Sequence, residues 1–112
     1  MRCHNGSCHC GAVRITLNDE PAEASECNCS ICSRLGSLWH YASPAQITVE
    51  GPLQGYVQGD RTLTTWRCQD CGCVTHWTAL DPAYTRMGVN LRMFPRSLWI
   101  DLPRRHIDGA SY

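Results

Sequence analysis

Residues 62–78 read TLTTWRCQDCGCVTHWT, from Thr62 to Thr78. Thr62 to Arg67 is rich in β-branched residues and runs directly into Cys68, while Val74 to Thr78 has the same character. Between them, two residues separate Cys68 from Cys71, a spacing that lets both sulfurs turn toward one ion, and Gly72 permits the tight backbone that follows. The segment therefore predicts a β-hairpin capped by a zinc knuckle. A knuckle supplies only half a tetrahedral site, so the other half must come from elsewhere in the chain.

Working outward, Cys8-His9-Cys10-Gly11 is the natural complement, because it too ends in Gly and leads into a strand. Cys8, Cys10, Cys68 and Cys71 together make a closed all-thiolate set whose zinc ties the N-terminal segment to the hairpin. Such sites contribute about 10 kcal/mol or more in zinc-finger peptides, comparable to the whole stability of a small domain.

The remaining cluster, Cys27-Asn28-Cys29-Ser30-Ile31-Cys32, places three sulfurs within six residues. They can hold one face of a second metal and leave its fourth position to be filled. Cys73, Cys3, His40 and His76 are candidates from the chain, and would make the site structural. Solvent or an exogenous thiol would make it reactive. Three thiolates overcompensate a zinc dication, which activates water poorly but suits a thiol ligand. Binding there converts a thiol of pKa about 8.5 into a thiolate fixed for attack on an electrophile.

With 112 residues, the expectation is one domain spanning 1–112. All ten basic residues are Arg, which excludes Schiff-base chemistry on a lysine, and they balance ten acidic residues. Loaded metals make the charge mildly negative, since four thiolates on zinc leave about two net negative charges and three leave about one. No basic surface for a phosphate backbone is expected, hence no nucleic acid. The first residues lack the apolar core of a signal peptide and no stretch reaches membrane-spanning length, so the reading is cytoplasmic, without a membrane partner. Thiols stay reduced there, and an odd total of nine cysteines agrees with metal ligands rather than disulfides.

Strands are expected at Ala12 to Leu17, Leu38 to Ala42, Ile47 to Val49, Gln54 to Val57, Tyr84 to Val89 and Ser97 to Asp101, besides the hairpin. Ile47 to Val49 and Gln54 to Val57 read as partners across a tight turn. An acidic connection covers Asn18 to Ala24, one helical turn covers Ser30 to Arg34, and the tail from Pro103 reads as loosely held. Short strands punctuated by Gly and Pro indicate an all-β fold of two small sheets joined by metal.

GSCHCGAVR at the start, CNCSICSRLGS in the middle and the WRCQDCG knuckle together resemble the family of glutathione-dependent formaldehyde-activating enzymes, which includes centromere protein V. The resemblance implies a β-tent of small antiparallel sheets. It also implies a carbon-sulfur lyase that joins formaldehyde and glutathione into S-hydroxymethylglutathione. Carried over by position, the structural zinc ligands are Cys8, Cys10, Cys68 and Cys71, and the catalytic zinc ligands are Cys27, Cys29 and Cys32. The chain departs from the family pattern at Arg67, usually aromatic, at Cys73, usually a small hydroxyl residue, and after Cys32, where only Arg34 is basic. The implied partners are a small thiol and an aldehyde; the alternative is a non-catalytic zinc-stabilised β module for protein binding. An iron-sulfur protein is permitted by the sulfur content but not favoured by the spacing.

His40 and Tyr41 follow the triple cluster and lie on opposite faces of a strand, so at most one can pass a proton to an alkoxide in the site. Arg34 and Arg61 are candidates for the carboxylates of glutathione. His9 and His76 read as hydrogen-bonding neighbours of the four-thiol site. Trp39, Trp66, Trp77 and Trp99 supply apolar area to the core, with one available to floor a pocket.

Overall fold

The computed structural model describes residues 3–59 and 61–111, and almost all of its regular structure is β. In chain order the elements are β1 (His4–Ser7), β2 (Arg14–Leu17), β3 (Ala24–Cys27), α1 (Ser30–Leu35), β4 (Trp39–Ala42), β5 (Ile47–Glu50), β6 (Leu53–Val57), β7 (Leu63–Cys68), β8 (Val74–Ala79), β9 (Met87–Asn90), α2 (Arg96–Trp99) and β10 (Arg104–Ile107). A three-stranded sheet has the order β1-β2-β5, and a seven-stranded sheet the order β10-β3-β4-β9-β8-β7-β6. The all-β architecture follows the sequence pattern, although the second sheet is large rather than small.

The knuckle hairpin forms as expected. β7 and β8 pair antiparallel from Leu63↔Ala79 to Arg67↔Val74, with a bulge between Trp66 and Arg67 just before the cysteines. The bulge sharpens the local twist and turns the strand end. Gly72 has φ 82° and Gly11 has φ 81°, so both two-cysteine turns end in the left-handed conformation that Gly adopts without steric cost.

The alternating residues of β2 send Ile15 and Leu17 inward, and β5 adds Ile47. These meet Ala24, Ala42, Met87 and Val89 of the larger sheet, with Leu91, Phe94 and Trp99 closing the end of the core. A second, smaller buried cluster holds Cys8, Val13 and Cys68, with Leu53 and Met93 against it. No helix among the described residues is long and apolar enough to cross a membrane.

Five local expectations are corrected. β5 pairs with β2 rather than with the segment after it, and β6 joins β7 in the other sheet. Gly51 explains the crossover: its φ is 131°, and a Cβ built there would lie 2.3 Å from the Ala12 carbonyl oxygen. The chain passes tightly over the β2 end instead of folding back on β5. Ser97 to Asp101 is not a strand; α2 starts at Pro95, whose missing N–H costs nothing at a helix start, and Leu98 N–H donates to its carbonyl. The helix buries Trp99, whose indole N–H donates to the Phe94 carbonyl oxygen at 3.1 Å. Tyr84 to Val89 is strand only from Met87.

The tail is not loose. β10 runs parallel to β3, pairing Arg104↔Ala24 through Ile107↔Cys27, so the final strand lies beside the first cysteine of the triple cluster. Arg104 also meets Glu26 at 3.3 Å and donates to the carbonyls of Trp99 and Leu102. Tyr112 lies outside the described residues.

His76 on β8 is buried, with its Nδ1 2.8 Å from the Thr75 hydroxyl and its ring stacked on Trp66. This is a structural role in the sheet, not the metal-side one expected. Burial lowers its pKa to about 4. The unfolded chain titrates near about 6.5 and so binds the proton first as pH falls. Stability is therefore full above that value and declines down to the folded pKa. Between about pH 7.5 and pH 5.5 the expected loss from His76 is about 1 kcal/mol. In denaturant titrations His76→Gln should remove that much of the pH slope, and an unchanged slope would refute the assignment.

Candidate metal centres and active site

Cys8 and Cys10 in the turn after β1, with Cys68 and Cys71 at the end of β7, bring four sulfurs within 4.8 Å of one another. Cys8 and Cys10 are separated by 3.6 Å, as are Cys10 and Cys68. A tetrahedral zinc with Zn–S of about 2.3 Å needs sulfurs about 3.8 Å apart, so the donor set fits that ion. Main-chain N–H groups already point at the sulfurs: Val13 donates to Cys8 at 3.3 Å, and Asp70 and Cys71 to Cys68 at 3.4 Å. The N–H groups of Cys73 and then Cys10 lower the Cys71 pKa to about 5. Cys8 and Cys68 belong to the buried cluster behind the knuckle.

Cys73 sits on this side of the molecule. The His9 main-chain N–H favours its thiolate, but burial and the Cys71 and Cys8 sulfurs together raise its pKa.

Cys27 ends β3, Cys29 caps α1 and Cys32 lies within it, so a strand-to-helix corner gathers the second set of sulfurs, again within 4.8 Å. No other Cys, His, Asp or Glu among the described residues joins that group. Burial opposes ionisation of Cys29, yet the Cys32 N–H, the neighbouring thiols and the Ile31 N–H lower its pKa overall. Burial dominates at Cys32, raising it to about 12 although the Trp39 indole N–H donates to its sulfur at 3.3 Å. Cys29 is thus a readier thiolate than Cys32.

The two faces of β4 resolve the choice between its polar residues. His40 turns away to the Asp19 carboxylate at 2.8 Å. Tyr41 faces a cavity shared with Cys27, Cys29 and Cys32. Burial first, then the Cys27 and Cys32 sulfurs, raise the phenol to about 12, against a hydrogen bond from Ser25.

That cavity, of about 440 Å³, is walled by Trp39, Trp77, Ile31, Leu35 and Leu63. A second one, of about 470 Å³, opens from Cys27 and Cys32 in another direction and is the more polar of the two, with Asn28, Ser33, Ser37, Arg92 and His106 among its walls. Ser37 is 4% exposed, and its Oγ has no hydrogen-bond partner among the described residues. Sequence reasoning missed both Ser37 and Arg92: Ser37 ends the CNCSICSRLGS stretch without a chemical signature of its own, and Arg92 sits in no cysteine motif and meets the triad only through the fold. Arg34 bonds back to Ser30 of its own helix, and neither it nor Arg61 lines these cavities.

Residues 107–110 clasp the corner. Asn28 N–H donates to the Ile107 carbonyl at 3.0 Å, Asn28 Nδ2 to Asp108 at 2.9 Å, and the Ala110 N–H to Asn28 Oδ1 at 2.9 Å. Gly109 packs so closely that a Cβ there would lie 2.4 Å from Cys27 Sγ.

The family described as glutathione-dependent formaldehyde-activating enzyme matches residues 3–97. The chain belongs to this family. A crystal structure of a Rhodobacter sphaeroides protein is similar at 34% identity and TM-score 0.72, covering 90% of this chain and 99% of that one. No curated protein matches. The match ends before β10, so the clasp at residues 107–110 lies outside it.

Proposed function

We propose that this protein is a zinc-dependent carbon-sulfur lyase of the S-(hydroxymethyl)glutathione synthase type, adding a glutathione-like thiol reversibly to an aldehyde. The observation that carries this reading is the convergence of three sulfurs, with no fourth protein ligand among the described residues, at the junction of a polar and an apolar cavity. Cys27, Cys29 and Cys32 would hold the catalytic zinc, and Cys8, Cys10, Cys68 and Cys71 the structural one. A zinc ion on the triad supplies an open position at which a thiol is bound and ionised.

The chain's own groups do the rest. The polar cavity receives the body of the thiol, with Arg92 available to a carboxylate and Ser37 Oγ to a polar group. A buried hydroxyl left without a partner costs about 1–3 kcal/mol, so a ligand that satisfies it gains correspondingly. Tyr41 keeps its proton throughout the neutral range and gives it to the carbonyl oxygen as the carbon-sulfur bond forms. Electrons of the C=O π bond move to that oxygen, and the proton released by the thiol on binding returns to Tyr41. The sum is thiol plus aldehyde giving a hemithioacetal, with no redox change. The free state of all nine cysteines suits a reducing, cytoplasmic setting.

The test is a glutathione titration of cobalt-substituted protein followed by assay with formaldehyde. A change in the cobalt d–d bands together with turnover is expected; unchanged bands with every small thiol would point to a purely structural module instead. Tyr41→Phe should lower kcat about a hundredfold while the cobalt-monitored thiol affinity stays within about twofold. Equal loss in both quantities would assign Tyr41 to thiol binding rather than proton transfer.

A further inference from the structure

The apolar cavity beside the triad is larger than formaldehyde requires. It has about 440 Å³, within the range of about 300–1,000 Å³ typical of sites that enclose a whole organic ligand. Formaldehyde has two heavy atoms and would leave most of that space to water, which competes for the carbonyl. The described residues lining the cavity include no Arg, His, Asp or Glu. Its walls are Trp39, Trp77, Ile31, Leu35 and Leu63, with the uncharged Gln58, Thr62 and Thr65 between them, and Trp77 packs against Tyr41 with ring centroids 6.0 Å apart. Leu35 is 40% exposed at this wall, an apolar surface in contact with solvent beside a reactive centre.

Charge points the same way. A metal-loaded triad carries about one net negative charge, and the cavity on its other side is mixed, with Glu26 and Asp108 beside Arg92 and His106. Among the described residues lining the apolar cavity there is no cation to pair with a carboxylate on the aldehyde; Arg86 stacks on the Tyr41 ring at 5.0 Å without lining it. Tyr41 fixes the orientation: with its hydroxyl on the carbonyl oxygen, the substituent of the aldehyde must occupy the space walled by Trp77, Trp39 and Leu35.

We infer that the carbonyl substrate of this site is an uncharged aldehyde carrying an apolar, aromatic-sized group. The inference rests on the thiol–aldehyde reading above and names the class of its second substrate. The bond changes are those already described: the thiol sulfur bonds to the carbonyl carbon, the C=O π bond breaks, and the oxygen stays on that carbon as a hydroxyl protonated from Tyr41.

Two measurements on the zinc-loaded protein test it. With glutathione as the thiol, kcat/KM, corrected for the uncatalysed reaction, should be at least about tenfold higher for benzaldehyde than for formaldehyde, and lowest for glyoxylate. Leu35→Asp should reduce the benzaldehyde-to-formaldehyde ratio about tenfold. Independently of turnover, benzyl alcohol should shift the indole N–H resonances of Trp39 and Trp77 in nuclear magnetic resonance spectra, and methanol should not. Turnover with formaldehyde preferred and no shift with benzyl alcohol overturns the substrate class while leaving the thiol–aldehyde reading standing. Benzyl alcohol shifts without turnover of any aldehyde support the apolar ligand and overturn the reaction.

Discussion

Cys68→Ala yields a chain that binds about one zinc fewer and no longer melts cooperatively. Cys68 is completely buried, accepts two main-chain hydrogen bonds, and packs with Cys8 and Val13 where the two sheets meet. Its removal leaves the sulfurs of Cys8, Cys10 and Cys71 within 4.8 Å of one another, with one ligand of the closed set gone. A closed thiolate site contributes about 10 kcal/mol or more in zinc-finger peptides, against about 5–15 kcal/mol for the net stability of a whole domain. The loss therefore exceeds what the apolar clusters alone can offset. Metal analysis and thermal circular dichroism check this directly, and a strong chelator should reproduce the effect on the unaltered chain. A Cys68→Ala protein with an intact, cooperative transition would show that the four sulfurs do not hold the fold.

Cys29→Ser has the opposite profile, with the fold kept and the chemistry lost. Cys29 is half-buried at a strand-to-helix corner and lies outside both apolar clusters, so its change to Ser should move the melting temperature by only about 2–4 °C. Main-chain N–H groups of Cys32 and Ile31 also favour its thiolate. A serine hydroxyl neither ionises at neutral pH nor matches a sulfur-preferring ion, so metal at the triad should be lost and turnover should fall about a thousandfold. The cobalt-detected response to glutathione should vanish with it. Retained turnover in Cys29→Ser would remove the triad from the reaction.

The pattern of what the residues announced follows from where each signal resides. Cysteine spacing is local, so the knuckle at Cys68 and Cys71, its complement at Cys8 and Cys10, and the cluster at Cys27, Cys29 and Cys32 were legible before any fold was assigned. Apolar alternation made β2 and β8 legible for the same reason. β1 reads His-Asn-Gly-Ser and has no apolar period, since its pairing with β2 rather than its side chains makes it a strand. β10 is polar and lies at a sheet edge, so parallel pairing with β3 left no trace in its composition. Ser37 and Arg92 are ordinary residues alone; only the passage of β9 beside β4 brings them to one cavity wall.

The clasp on Asn28 also sets an order in time. Asn28 is held by a side chain 80 positions and a main-chain N–H 82 positions further along, whereas the four-sulfur set is complete once Cys71 has been made. During synthesis at about 5–20 residues per second, the four-sulfur set is thus available for seconds before the triad acquires its final geometry. The holding metal can be loaded onto a nascent chain whose reactive corner is still unformed.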